Sequence, residues 1–256
     1  MTIGIVNQKG GSGKTHLTVL VTLALAAAGK KVLAVDCDPQ GGLSAFLGKV
    51  GQTGSPQVVR PGLQHGLSIP ANHPGIFEVL TGMCKIEEAV IAGKRDSIGF
   101  HFIRARHTLD RIAPGSDLYE IERKFKKAKG FDCIVFDSPP TMQGISKSIA
   151  HFCGKIYIPS DISEGSIQPT LYTLDILKEI KRKGQVILIG YKHSEQGEDG
   201  FIARLSREFR EKLGKAYLGS LPRNISMQKS VSDTAIKWTD KKVFKTLKPV
   251  SDLIGI

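Results

Sequence analysis

Cysteine is scarce in this chain of 256 residues, and the four present, Cys37, Cys84, Cys133 and Cys153, form no C-x-x-C pair. Reduced packing residues are therefore expected, not disulfides or metal ligands, and an iron–sulfur centre is disfavoured. No apolar run is long enough to cross a bilayer, and no charged-then-apolar leader precedes the first apolar run. The expectation is a cytoplasmic protein without stable membrane insertion. No internal repeat and no second core pattern interrupt the chain, and 41% hydrophobic residues suffice for one core, so residues 1–256 are expected to form a single domain. Acidic side chains are also scarce: 24 Asp and Glu face 36 Lys and Arg, a formal net charge of +12. That excess points to a polyanionic partner. Residues 201–248 hold twelve Lys/Arg against four Asp/Glu, two-thirds of the excess, whereas a merely solvated surface would spread it evenly.

What is present begins at residues 7–16, Asn-Gln-Lys-Gly-Gly-Ser-Gly-Lys-Thr-His, between an apolar run suited to a buried strand (residues 2–6) and a helix-forming stretch ending at Gly29. Strand, glycine loop, helix is the context in which backbone N–H groups turn inward on an anion and the helix dipole adds to them. Lys14 would reach the β- and γ-phosphates of a nucleotide, and the Thr15 hydroxyl would ligate Mg2+. Downstream, residues 31–35 form a second buried strand that delivers Asp36 and Asp38 at its carboxyl end, the edge where ligands sit in a parallel sheet. Either aspartate could instead cap the following helix. Residues 131–140 form a third apolar strand ending in Asp137-Ser-Pro-Pro, which reads as a Walker B segment with Asp137 accepting from a magnesium-bound water.

The general P-loop pattern wants glycine at position 8, which is Gln8, while a second lysine, Lys9, stands at the mouth of the loop. Lys-Gly-Gly-Ser-Gly-Lys-Thr resembles the deviant Walker A motif of the ParA/MinD family of ATPases. Asp-Cys-Asp-Pro-Gln-Gly (residues 36–41) resembles the second signature of the ParA branch, and Pro222-Arg223-Asn224-Ile225 its Pro-Arg-Asn-Val segment. The resemblance implies ATP and Mg2+ as cofactors, with Lys9, Gly10, Gly11, Ser12, Gly13, Lys14, Thr15 and His16 around the phosphates and Pro222 against the base. It further implies that Lys9 reaches the partner's nucleotide across an ATP-bound homodimer. Asp38 would orient the attacking water, making Lys9, Lys14 and Asp38 the catalytic set, and Thr15, Asp36 and Asp137 the metal set. His16 departs from the usual Thr or Ser, replacing a small hydroxyl with an imidazole.

Strands of about five residues alternate with helices nearly throughout, which predicts an α/β fold: one doubly wound, Rossmann-like P-loop domain with a mainly parallel sheet between helices. Residues 49–75, with five glycines and four prolines, read as a loop insertion. The helix carrying Leu118, Ile121, Phe125 and Ala128 has a basic face expected to be only solvated. No helix-turn-helix precedes the P-loop, as in short ParA proteins. From charge placement alone, Arg204, Arg207, Arg223, Lys229, Lys237, Lys241 and Lys242 are the candidates for contact with non-specific double-stranded DNA. The resemblance adds a ParB-like adaptor and nucleoid association, the whole serving DNA segregation. Two other readings share the motifs: a MinD-like membrane ATPase, disfavoured because Pro249 interrupts the terminal helix, and a ParA-like ATPase that positions another cargo.

Overall fold

The computed structural model describes residues 1–50, 69–70, 72–95, 98–111, 117–189, 200–221 and 240–256. One sheet contains β1 Thr2–Ile5, β2 Val32–Asp36, β3 Ile91–Arg95, β4 Ile98–Ile103, β5 Cys133–Asp137, β6 Lys155–Asp161, β7 Gln185–Ile189 and β8 Tyr217–Leu221. Its order is β3-β4-β2-β5-β1-β6-β7-β8, parallel throughout except for the edge hairpin β3–β4. The helices are α1 Lys14–Ala27, α2 Gly42–Val50, α3 Ile76–Thr81, α4 Ile86–Ala89, α5 Glu120–Phe125, α6 Ile145–Phe152, α7 Glu164–Glu179, α8 Phe201–Leu213 and α9 Asp240–Ile254.

β2 and β5 are buried at every residue because helices cover both sheet faces, which is why they read as unbroken apolar runs without alternation. One core lies on the face covered by α1, α2 and α9. A second lies on the face covered by α3, α5, α6, α7 and α8. This is the expected doubly wound, three-layer arrangement. It brings the carboxyl ends of β1, β2, β5 and β6 to one edge of the sheet.

Three local features depart from simple sequence rules. The edge strand β3 was not legible, since Gly93-Lys94-Arg95 is a poor strand signal; Gly93 is there because a Cβ would come within 2.5 Å of the Phe100 ring on β4. α7 begins at Glu164 and runs through Pro169 in its second turn. The terminal helix α9 likewise continues through Pro249, which corrects the expectation of an interruption. An internal proline costs about 3 kcal/mol. Burial of Leu247, Val250 and Ile254 offsets it, at roughly 1.5–3 kcal/mol for each side chain. The helix packs on α1 and β8, with Leu253 so close to β8 that a Cβ on Gly219 would meet it at 2.3 Å. The described apolar side chains Leu247, Val250 and Ile254 are therefore occupied by the core and not free for a lipid surface. Among the described residues no helix is long and apolar enough to cross a membrane.

Candidate nucleotide site

After β1 the chain leaves the sheet through Asn7, which is fully buried. Its Nδ2 donates to the Pro159 carbonyl at 2.8 Å and its Oδ1 accepts from the Lys9 N–H at 3.0 Å, so the loop is pinned to β6. Gly11 and Gly13 take φ of +73° and +91°, where a side chain is strained. Gly13 is also the N-cap of α1, which has no side-chain cap, so the first amides of the helix and its dipole remain available to an anion. The Ser12 hydroxyl is buried with no hydrogen-bond partner among the described residues. An orphaned buried donor in such a loop fits a ligand rich in oxygen acceptors. Lys14, only 6% exposed, folds back so that its Nζ donates to the Lys9 carbonyl at 3.0 Å. Burial lowers its pKa, opposed by the charges of Asp137 and Asp38.

Asp137 ends β5 between β1 and β2, level with Ile5 on one side and Asp36 on the other. Its Oδ2 accepts from the Thr15 hydroxyl at 2.8 Å and its Oδ1 from the Thr18 hydroxyl at 3.1 Å. Burial foremost, then the charge of Asp36, pushes the Asp137 carboxyl up to about 8, against those two hydrogen bonds. Burial likewise pushes Asp36 up to about 6. Two adjacent buried carboxylates with Lys14 as their nearby cation are under-compensated, and a divalent cation fits that deficit. Among the described residues no group of three or more His, Cys, Asp or Glu forms a cation cage. Mg2+ needs none when phosphate oxygens and waters complete its shell, so Thr15 and Asp137 would hold it. Bound there, it would neutralise phosphate charge.

Asp36 has a second employment. Its Oδ2 accepts from the Ser44 N–H at 2.7 Å and from the Ser44 hydroxyl at 2.6 Å, tying β2 to the first turn of α2. Ser44 Oγ in turn accepts from the Ala105 N–H at 2.8 Å. The helix-capping alternative is thus realised for Asp36. Asp38 is half-exposed; its Oδ1 accepts from the Gln40 N–H at 3.0 Å, which shapes the turn into α2. His16 is half-buried, and burial holds its imidazole below the usual pKa, so at pH 7 it is neutral.

Lys9 points along its own subunit. Its Nζ lies 2.9 Å and 3.2 Å from the two Asp161 carboxylate oxygens and 3.3 Å from the Ser163 hydroxyl, and it also contacts the Ser166 hydroxyl. Asp161 closes β6, and Ser163 and Ser166 open α7. Burial alone would raise the Asp161 pKa, but hydrogen bonds from Ser166, Lys9 and Ser163 hold it below the usual carboxylate range. Sequence reasoning missed Thr18, Ser44, Asp161, Ser163 and Ser166. The available signal was positional, since Asp161 ends a parallel strand at the same edge as Asp36 and Asp137.

The remaining expected residues are not part of this cluster. Arg204 and Arg207 are exposed on α8. Pro222, Arg223, Lys229 and Lys237 lie outside the described residues, as do the side chains of Lys241 and Lys242 on α9.

A family model described as an AAA domain, AAA_31, matches residues 1–188. The chain belongs to this family. The chromosome-partitioning ATPase Soj of Thermus thermophilus is 23% identical over 237 residues, covering 90% of this chain and 84% of Soj. Maintenance of carboxysome distribution protein A of Synechococcus elongatus is 25% identical over 209 residues, covering 73% of this chain and 70% of that protein. In structure, a Borrelia burgdorferi protein described as a plasmid partition protein, bound to AMPPNP, aligns with a TM-score of 0.77 over 99% of this chain and 97% of its own, at 15% identity. The resemblance to the ParA/MinD family of ATPases is borne out by these relatives. So is the P-loop NTPase fold.

Proposed function

We propose that the AAA_31 chain is a ParA-type partitioning ATPase whose ATP-bound form is a homodimer that holds DNA without sequence preference and releases it on hydrolysis. The observation that carries this reading is the convergence of Lys14, Thr15 and Asp137 on an uncapped helix amino terminus behind a glycine loop. Lys14 and the loop amides bind and orient the phosphates, and Thr15 and Asp137 hold the metal. Asp38, half-exposed two residues beyond the end of β2, orients water. Lys9 leaves Asp161 to serve the nucleotide of the partner subunit, so each site is complete only in the dimer.

Dimerisation doubles the phosphate contacts on one surface, and affinity for DNA rises steeply with their number. Arg204, Arg207, Arg223, Lys229, Lys237, Lys241 and Lys242 supply those contacts in this reading. A ParB-like adaptor triggers hydrolysis, and the protein works in the cytoplasm on the nucleoid. The relationship to a carboxysome distribution protein favours a second reading, in which the same cycle positions a different cargo. Duplex-DNA affinity measured with and without ATP tests the switch: tighter, salt-dependent binding with ATP supports it, and equal affinity in both states refutes it.

A further inference from the structure

The edge of the sheet opposite the nucleotide carries a row of cations that the site above does not use. The turn before β2 brings Lys30 and Lys31, and the turn before β5 brings Lys127 and Lys129. Lys155 opens β6, Lys181, Arg182 and Lys183 precede β7, and Lys215 precedes β8. All are exposed except Arg182, which is half-buried. Because β2, β5, β1, β6, β7 and β8 are parallel and adjacent in that order, their starting ends lie side by side. Five strand spacings make a row about 24 Å long. Contacts across it confirm the alignment: Asp132 N–H donates to the Lys31 carbonyl at 2.8 Å, Gly154 N–H to Thr2 Oγ at 2.9 Å, and the Arg182 guanidinium to the Cys153 carbonyl.

Lysines near helix ends often serve only to complement the dipole and bind the last carbonyls. That account fits Lys155, whose Nζ donates to the Ile254 carbonyl at 3.4 Å, and Lys31, which lies over the Phe131 ring. It does not fit Lys30, Lys129, Lys181, Lys183 and Lys215, whose ammonium groups have no ion pair and no hydrogen bond to a carbonyl among the described residues. Lys181 adds an independent observation. The turns after α1, α5 and α8 place glycine in the left-handed region, at Gly29, Gly130 and Gly214, and set lysine beside it. After α7 the left-handed residue is Lys181 itself, at φ +56°, a conformation that costs a side chain roughly 1 kcal/mol. Asp132 lies in the row, but its Oδ2 is taken by the Lys31 N–H at 2.7 Å.

We propose that this amino-terminal edge of the sheet is a second, weaker DNA-binding surface, which takes the phosphate backbone of a duplex independently of nucleotide and adds to the tighter ATP-dependent contact without replacing it. A stretch of duplex as long as the row carries about fourteen phosphate charges. Among the described residues the row carries little exposed apolar surface: of the large exposed apolar side chains, Met83, Tyr119 and Tyr172 lie on other elements, and Met1 and Ile256 are isolated terminal residues. A linear array of unpaired cations with little apolar surface suits a polyelectrolyte read for charge, not sequence. Each subunit carries the whole row, so the proposal holds without a dimer and does not rest on the ATP switch.

The test is duplex binding without nucleotide, by fluorescence anisotropy over a series of salt concentrations. The comparison is between the wild type and a variant combining Lys30→Gln, Lys129→Gln, Lys181→Gln, Lys183→Gln and Lys215→Gln. The wild type is expected to bind weakly, and the variant to lose about tenfold or more, with its log–log salt slope shallower by about four to five. The same five positions changed to Arg must restore binding, while a fluorescent ATP analogue binds all three proteins equally. Unchanged affinity and slope overturns the proposal. So does a defect shared by the Arg version, or a loss confined to phosphatidylglycerol vesicles or polyglutamate with DNA binding intact.

Discussion

Releasing Lys9 from its own subunit should govern how readily the dimer forms, and Asp161→Asn isolates that step. The amide keeps the size of the carboxylate and an acceptor for Ser163 and Ser166 but removes the charge facing Lys9. The Lys9 and Asp161 side chains are 25% and 40% exposed, so solvent screens the pair and its worth is about 1 kcal/mol. Two subunits must each give up the contact, which makes about 2 kcal/mol in the dimerisation equilibrium, or roughly a 30-fold change in dimer dissociation constant. Sedimentation equilibrium with ATP should therefore show Asp161→Asn dimerising about 30-fold more tightly than wild type, with ATP affinity of the monomer unchanged. Lys9→Ala should fail to dimerise. If Asp161→Asn dimerises no better than wild type while Lys9→Ala fails, the intrachain contact is not a brake. If Lys9→Ala dimerises normally, the role of Lys9 across the interface is itself refuted.

Other outcomes follow from the buried carboxylates. Asp36 and Asp137 have folded pKa values raised above the unfolded carboxylate value, so their stability contribution is complete below about pH 4 and is lost as pH rises through about 6 and then about 8. Melting of the metal-free, nucleotide-free protein should thus show stability falling between about pH 4 and about pH 8 and levelling off above, and Asp137→Asn should flatten the part of that fall above about pH 6; an unchanged slope would contradict the assignment. Ser44→Ala removes a hydroxyl that bridges Asp36 and Ala105, and should lower stability by about 1–3 kcal/mol in denaturant melts, whereas an exposed serine would change little. For His16→Thr, nucleotide titration should show a changed ATP or ADP affinity, because a neutral imidazole stands where a small hydroxyl would reach the α-phosphate; identical affinities would make the substitution neutral.

The parts of the site legible in the sequence are those encoded locally. The glycine loop, the first turn of α1 and the apolar strands that end at Asp36 and Asp137 each announce themselves within about ten residues, because backbone conformation and burial on both faces dictate their composition. What was illegible depends on contacts distant in sequence. Lys9 meets Asp161 across 152 residues, and neither residue type predicts the pairing. The helix through Pro249 misled because a local breaker was outweighed by burial against α1 and β8, a tertiary effect. The lysine row was hidden for a similar reason: each turn contributes one to three cations, and only the strand order lines them up.

The claim at the centre of this account is that ATP, and not ADP, assembles a composite two-subunit site. Sedimentation velocity of Asp38→Ala, which retains the phosphate loop but lacks the group proposed to orient water, tests it most directly. The account predicts a stable dimer with ATP and Mg2+ and a monomer with ADP. A monomer under both conditions, or a dimer under both, would contradict it.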